Sequence, residues 1–135
     1  MTKEFSAGGI ILKKIDKQVF ILLVKNIDTT YSFPKGHREA NETLIDTVLR
    51  EVEEETGLDD VEVKEKIGWF ERESIKRNKK KVKKRIDLFL VKLGKNTEKI
   101  NTKLCKWFAL EDAVGKLKYK QDAEFLKKHL STFKK

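Results

Sequence analysis

The 135-residue sequence predicts an α+β fold, arranged as an α/β/α sandwich, because strand-like and helix-like segments mix without a regular βαβ alternation. Alternating or β-branched segments that predict strands cover residues 5–12, 19–24, 61–75, 86–93 and 103–110. Helical periodicity covers residues 43–56 and 122–130. No internal repeat or linker interrupts the chain, so we expect a single domain over residues 1–135.

The first two strands should form a β-hairpin, since only the polar residues 13–18 separate them. Gly8 and Gly9 lie in the first strand, where they would let another backbone come close. The next short segment, residues 31–36, contains Pro34, which ends any strand and stiffens a loop.

The helix over residues 43–56 is predicted by an apolar stripe and by its ends. Leu44, Val48 and Val52 recur at helical spacing, and Ile45 with Leu49 would widen the stripe. Thr43 and Asp46 resemble an N-terminal capping arrangement, and Gly57 suits the left-handed C-cap.

Residues 61–75 and 86–93 predict a long hairpin whose connecting segment is cationic, because eight of the ten residues 76–85 are basic. The whole chain carries a formal net charge of +9. Such an excess favours nucleotides, RNA or an anionic surface as partners, although a solvated lysine-rich surface without a binding role gives the same excess.

The sequence also predicts a cytoplasmic protein. Cys105 is the single cysteine, so no intramolecular disulfide can form, and its apolar flanks favour a buried structural thiol. The first residues lack the apolar core of a signal peptide, and no apolar stretch is long enough for a membrane helix. We expect no membrane association, and the sequence indicates no oligomeric state.

Three glutamates of the predicted helix provide candidate chemistry. Glu51, Glu54 and Glu55 stand at i, i+3 and i+4, which places their carboxylates on one helical face. Clustered like charges destabilise a helix unless a cation lies between them, and hard oxygen ligands select Mg²⁺, Mn²⁺ or Ca²⁺. Taken alone, the cluster would also fit an ordinary solvated acidic face.

The spacing around these glutamates matches the motif Gly-x₅-Glu-x₇-Arg-Glu-U-x-Glu-Glu-x-Gly-U, where U is bulky and aliphatic. The matching residues are Gly36, Glu42, Arg50, Glu51, Val52, Glu54, Glu55, Gly57 and Leu58. With average residue usage, a chance match in a chain of this length is on the order of one in 10⁷. The motif is the Nudix box, and the chain therefore resembles the Nudix hydrolases; the Gly8-Gly9 strand and Trp107-Phe108 extend the resemblance over most of it.

The resemblance implies a Nudix fold, a mixed β-sheet between helices with a loop–helix–loop catalytic motif, and Mg²⁺-dependent cleavage of a phosphoanhydride bond, with Mn²⁺ as a substitute. It implies that Glu51, Glu54, Glu55 and the carbonyl of Gly36 bind the metal. Glu42 would pair with Arg50 to brace the loop, and Gly57 would end the helix. Glu54 and Glu55 are the candidate general bases; a downstream loop glutamate serves in some members, where this chain has Asn101 with Glu98 three residues earlier.

Within the family, residues 33–37, Phe-Pro-Lys-Gly-His, look most like the asymmetric diadenosine polyphosphate hydrolases. The substrate would then be a dinucleoside polyphosphate, with Lys35 and His37 facing phosphate unless they are solvated loop residues. Lys83 would contact polyphosphate, and Phe89 would stack on adenine unless it belongs to the core. Alternatives are an RNA 5′-pyrophosphohydrolase that uses the basic residues 76–85, a housecleaning nucleoside triphosphate pyrophosphatase, and a non-enzymatic nucleotide-binding module.

Overall fold

The computed structural model describes residues 2–95 and 99–135. The strands are β1 (Thr2–Ile15), β2 (Gln18–Lys25), β3 (Tyr31–Ser32), β4 (Lys35–His37), β5 (Val61–Ile75), β6 (Lys81–Leu93) and β7 (Cys105–Ala109). The helices are α1 (Leu44–Thr56), α2 (Leu110–Val114) and α3 (Lys120–Phe133). Among the described residues, no helix has the length and apolar character needed to cross a membrane.

The sheet is mixed, which confirms the predicted α+β architecture. Its main path runs β3-β2-β1-β6-β5, with β4 paired to β1 and β7 paired to β2. The β1–β6 pair is parallel, whereas the other pairs are antiparallel. Strand β1 therefore lies centrally and contacts three other strands, including β4, which leads into the loop before α1.

The sheet separates two hydrophobic cores. On one face, Val48 and Val52 of α1 pack against Ala7, Ile11 and Val91. The other face is covered by α2 and α3, which bury a second cluster centred on Ile10, Ile21, Ile86, Leu88, Phe125 and Leu126. Sheet and helices thus form the predicted three layers.

The α1 stripe is narrower than predicted. Ile45 and Leu49 are 43 % and 38 % exposed, because their positions lie beside the buried line of Val48 and Val52 rather than on it. Thr47 and Thr56 are buried in their place. The two threonines are satisfied locally. The Thr47 hydroxyl lies 3.0 Å from Oε1 of Glu42 and 3.2 Å from the Thr43 carbonyl oxygen, and the Thr56 hydroxyl donates to the Val52 carbonyl.

Several strands are longer than predicted. The β1–β2 turn consists of Asp16 and Lys17 alone, both with positive φ, so the strands continue through most of the predicted polar loop. Strand β6 begins at Lys81, five residues before the predicted start, because cross-strand pairing with β5 extends into the basic segment. Helix α2 was not predicted, since it has only five residues and lacks a side-chain cap.

Gly57 should be sensitive to substitution. Its φ is +83°, and a β-carbon there would lie 3.1 Å from the carbonyl oxygen of Lys99. We expect Gly57→Ala to lower the free energy of unfolding by about 1–2 kcal/mol, measured by urea denaturation. The matched control is Gly115→Ala, where φ is −78° and the nearest atom is 3.8 Å away, so stability should not fall. Equal losses in both variants would contradict this role of Gly57.

Candidate active site

The loop–helix segment that carries the candidate glutamates is fixed at both ends of α1. The Thr43 hydroxyl accepts the Asp46 backbone N–H at 3.1 Å, and the Asp46 carboxylate accepts the Thr43 N–H at 3.0 Å, forming a capping box. At the other end, the Gly57 N–H donates to the Glu53 carbonyl. The rotation of α1 is therefore defined, and with it the direction of the acidic face.

Arg50 joins the loop before α1 to the helix. Its guanidinium donates to both carboxylate oxygens of Glu42, at 2.7 and 3.0 Å, and to the His37 carbonyl oxygen at 2.9 Å. It also donates to Oε1 of Glu51 at 2.7 Å. The hydrogen bonds from Arg50 lower the pKa of Glu42 to about 2, assisted by the Glu39 N–H. The structure thus brings Glu42 and Arg50 together across the loop.

Gly36 provides the space for the Glu51 carboxylate. A β-carbon at position 36 would overlap the carboxylate atoms of Glu51, so a larger residue there would displace this carboxylate. Gly36 is itself held by β4, which pairs with Ala7 of β1. The contact places the partly buried Glu51 carboxylate directly against the backbone of the first glycine of the box.

Glu51 and Glu55 form a carboxyl pair. Burial raises the pKa of Glu55 to about 8, and its hydrogen bond and repulsion with Glu51 act in the same direction, while Lys35 opposes them. Two partly buried carboxyls that share a proton are a site that a cation can occupy in the proton's place. The oxygen donors fit a hard divalent cation.

Glu54 lies apart from this pair. Its side chain is 59 % exposed and its carboxylate is 3.5 Å from Nη1 of Arg50. Within residues 2–95 and 99–135, no group of three or more acidic, histidine or cysteine side chains is already gathered around a metal position. The structure therefore brings two of the three predicted carboxylate ligands together and leaves the third, Glu54, exposed beside them.

The downstream loop contributes no ligand in the part of the chain that the structure describes. Glu98 lies outside the described residues. Asn101 uses its backbone N–H to bond the Thr56 carbonyl at 2.7 Å, and its side-chain oxygen accepts the Lys103 N–H at 3.1 Å. The neighbouring Cys105 is buried, and burial raises the pKa of its thiol to about 11, which fits a structural thiol.

Lys35 connects the carboxyl pair with an open cleft of about 520 Å³ on the α3 side of the sheet. Burial lowers the pKa of its ammonium group, whereas the charges of Asp122 and Glu55 oppose that shift. Four cationic side chains line the cleft, namely Lys25, Lys35, Arg72 and Lys118. Asp28 and Tyr119 also line it. A cleft of this charge can hold an anionic group next to the carboxyl pair.

Three residues of this region were missed by the sequence analysis. Asp122 is completely buried, and its Oδ1 accepts a 2.8 Å hydrogen bond from Nη1 of Arg72. The Arg72 guanidinium lies 3.6 Å from the centre of the Tyr119 ring. Arg72 and Asp122 are fifty positions apart and belong to no local motif, so only the packing of α3 on the sheet brings them together.

The remaining predicted substrate residues are dispersed. His37 has an exposed side chain, 3.8 Å from a Glu4 carboxylate oxygen. Lys83 is exposed on β6, away from the cleft that contains Lys35. Phe89 is only 7 % exposed and packs in the α1-side core, so the predicted stacking on adenine is not supported and the alternative core role fits.

Comparison with known proteins decides the family. A model of the NUDIX domain matches residues 3–130. The chain belongs to the NUDIX family. This NUDIX chain is 43 % identical to a Mycobacterium tuberculosis protein named MutT4 in a 63-residue alignment, which covers 41 % of the chain and 25 % of that protein. The chain thus spans about a quarter of the length of this relative.

Two crystal structures of the Caenorhabditis elegans Ap4A hydrolase are also similar to this NUDIX chain. One has a TM-score of 0.76 and 24 % identity and covers 98 % of each chain. The other, a binary complex, has a TM-score of 0.75 and 23 % identity and covers 96 % of each chain. These similarities confirm the predicted fold.

The buried Arg72–Asp122 pair should be important for stability. We expect Asp122→Ala to lower the free energy of unfolding by about 3 kcal/mol, since it leaves a guanidinium that is 8 % exposed without its carboxylate. The control is Glu124→Ala on the same helix, where the carboxylate is 64 % exposed and 3.8 Å from Lys120. Urea denaturation measures both changes, and an equally small loss in the two variants would show that the pair contributes little.

Proposed function

We propose that this NUDIX protein hydrolyses a phosphoanhydride bond of dinucleoside polyphosphates, such as diadenosine tetraphosphate, with Mg²⁺ as the preferred cation and Mn²⁺ as a substitute. The observation that carries the proposal is the position of Lys35. It lies between the Glu51–Glu55 carboxyl pair and a cationic cleft that contains the Arg72–Tyr119 stack. A polyphosphate with a nucleoside at its end matches this order, since its phosphates would lie at Lys35 and its nucleoside in the cleft beside the Arg72–Tyr119 stack.

The metal would be held by Glu51 and Glu55, by the carbonyl oxygen of Gly36, and by Glu54 after its carboxylate turns away from Arg50. Carboxylate and carbonyl oxygens are the ligands that Mg²⁺ and Mn²⁺ take in proteins. When bound, the cation would offset the charge of the phosphates and make an attacking water more acidic.

The side chains of this chain then have separate tasks. Glu54 and Glu55 are the candidate general bases that would accept the proton of the attacking water. The Lys35 ammonium would pair with a phosphate oxygen, which compensates the cost of its burial. Arg50 holds the loop, the His37 carbonyl and Glu51 in place without contacting substrate.

The nucleoside would lie in the cleft beside Tyr119. The Arg72 guanidinium covers the Tyr119 ring at 3.6 Å, and Tyr119 is 37 % exposed, so a planar base can extend this stack. Residues 33–37 and the similarity to the Ap4A hydrolase over nearly the full chain favour a dinucleotide. His37, at the exposed end of β4, is assigned to the distal phosphates.

An RNA 5′-pyrophosphohydrolase is the second candidate, favoured by the exposed basic residues 76–85, which include Lys83. A nucleoside triphosphate pyrophosphatase would use the same carboxylates with a shorter substrate. A non-catalytic nucleotide-binding module is disfavoured, because every charged residue of the box is present.

The family match over residues 3–130 supports a single domain, and a cytoplasmic location stays a prediction.

Glu54→Gln should lower turnover at least ~10²-fold, since it removes either a metal ligand or the general base. Its matched control is Glu53→Gln, the adjacent exposed glutamate at a variable position of the box, which should leave turnover unchanged. Chromatography of the two nucleotides formed from diadenosine tetraphosphate with Mg²⁺ measures both, since cleavage of one anhydride bond releases no free phosphate. Unchanged turnover in Glu54→Gln would refute its assignment to the site.

Mg²⁺ should stabilise the protein, because it binds the native carboxylates and relieves their repulsion. At ten times its Kd, the gain is about 1.4 kcal/mol, or a few degrees in melting temperature. Differential scanning calorimetry with KCl of matched ionic strength tests this expectation. The Glu51→Gln/Glu55→Gln variant should lose the shift; an equal shift would place the bound metal elsewhere.

Purified protein with Mg²⁺ should prefer diadenosine tetraphosphate over triphosphorylated RNA and over single nucleoside triphosphates, judged by kcat/KM. The reason is that only the dinucleotide fills both the cleft beside Tyr119 and the distal phosphate positions. A preference for triphosphorylated RNA by orders of magnitude would reject this substrate and favour the second candidate.

A further inference from the structure

One face of the sheet is left partly uncovered beside α1. On this side α1 covers Ala7, Ile11, Phe89 and Val91, but none of the helices in the described part of the chain covers the rows nearer the start of β1, where Phe5 is exposed. We call these rows the open sheet face, defined by five side chains from three adjacent strands: Lys3, Phe5, Trp69, Lys83 and Arg85.

The strand register places these side chains together. Phe5 pairs with Arg85, and Lys3 pairs with Lys83, across the parallel β1–β6 ladder. Trp69 of β5 pairs with Asp87, one row away, and the Arg85 guanidinium lies 4.1 Å from the centre of a Trp69 ring. Cations and aromatic rings therefore alternate over one continuous surface.

The aromatic rings on this face are unusually accessible. Trp69 is 50 % exposed and Phe5 is 44 % exposed. Large aromatic side chains this exposed, on the same face of a sheet and separated by Arg85 of β6, indicate a surface that contacts a partner. Arg85 contacts Trp69, so the ring is already held for stacking by another planar group.

The charge of the region indicates the chemistry of the partner. Asp87 is buried and neutralised by Arg85 and Lys66, and Glu71 is paired with Lys3 at 2.8 Å. Glu73 faces Lys83 in the register, yet within the described residues no carboxylate lies within 4.0 Å of the ammonium of Lys81 or Lys83. The face therefore continues into the basic hairpin turn with uncompensated positive charge.

We propose that the open sheet face binds single-stranded nucleic acid, with a base stacked on Trp69 and phosphates along Lys81 and Lys83. Exposed aromatics interleaved with cations suit unpaired bases, whereas a duplex hides its base faces and would use the cations alone. An apolar protein segment would satisfy the rings but leave the lysines without partners.

The open sheet face adjoins the candidate active site. The Phe5 carbonyl accepts the Arg38 N–H at 3.1 Å, and Ser6 pairs with His37, so the face begins where the loop of the box leaves β4. Binding there does not depend on the proposed hydrolysis. It can be measured without metal and without a phosphoanhydride.

The probe is a fluorescein-labelled 12-nucleotide strand with a 5′-hydroxyl, as RNA and as DNA of the same sequence, titrated with the full chain in EDTA. Fluorescence anisotropy gives the affinity. We expect Trp69→Ala to weaken binding about tenfold or more, because stacking of one base is lost. Trp69→Tyr, which keeps a stacking ring, should restore most of the affinity.

Tighter binding of RNA than of DNA would identify contacts to the 2′-hydroxyl. Equal binding would identify stacking and phosphate contacts common to both.

The charge contribution is tested with a matched pair of double variants. Lys81→Gln/Lys83→Gln should weaken binding and reduce the slope of log K against log salt by about 1.4, two phosphates' worth for a single strand. Lys127→Gln/Lys128→Gln removes the same charge from the exposed side of α3. It should change the affinity and the salt slope only by the general effect of net charge. Equal losses in both pairs would overturn the proposal in favour of nonspecific attraction.

Unaltered affinity of a folded Trp69→Ala variant would also overturn it. Folding is verified from the melting temperature, and hydrolysis of diadenosine tetraphosphate by this variant should equal that of the unmodified chain, because Trp69 lies outside the cleft. Loss of strand binding with retained hydrolysis separates the open sheet face from the catalytic site. If the unmodified chain hydrolyses no dinucleotide but binds the strand through Trp69, the proposed function fails and this inference stands.

Discussion

The candidate site depends on the hydrogen bonds of the Arg50 guanidinium. This one group contacts the Glu42 carboxylate in the loop, the His37 carbonyl at the end of β4 and the Glu51 carboxylate on α1. A loop of six residues between β4 and α1 has few apolar contacts of its own, so its conformation must be set by polar ones. Because Arg50 is planar and presents several N–H donors, a single side chain can fix three segments in one geometry.

Close backbone approach makes this geometry possible. A β-carbon at Gly8 would lie 2.5 Å from the Pro34 carbonyl oxygen, so glycine in β1 lets the segment before β4 lie directly on the sheet. Gly36, two residues after Pro34, leaves room for the Glu51 carboxylate. Strand, loop and helix are thus stacked at two glycine contacts, and Glu51 becomes partly buried beside Glu55. The burial of Glu55 itself and the neighbouring Glu51 raise the pKa of Glu55, and a bound cation would relieve both effects.

Local signals explain what could be predicted from the sequence. The capping pair Thr43–Asp46, the C-cap Gly57 and the box spacing act within one segment, so α1 and the Glu42–Arg50 pair follow from residues close in the chain. The Arg72–Asp122 pair could not be predicted, because it joins β5 to α3 and neither residue belongs to a motif. Phe89 shows the same limit, since only the register of β6 on β1 decides that its ring faces α1 rather than solvent.

Lys35 explains why the metal-side and the cleft-side groups should act as one site. Its ammonium is desolvated, and the carboxylates that support its charge are Glu55 on one side and Asp122 on the other. A cation that replaces the shared proton of Glu51 and Glu55 would bring additional positive charge near this ammonium and so weaken that support. A phosphate entering the cleft would replace it, because it brings negative charge to the same ammonium. Metal and polyphosphate should therefore bind cooperatively, with Lys35 as the group through which each favours the other.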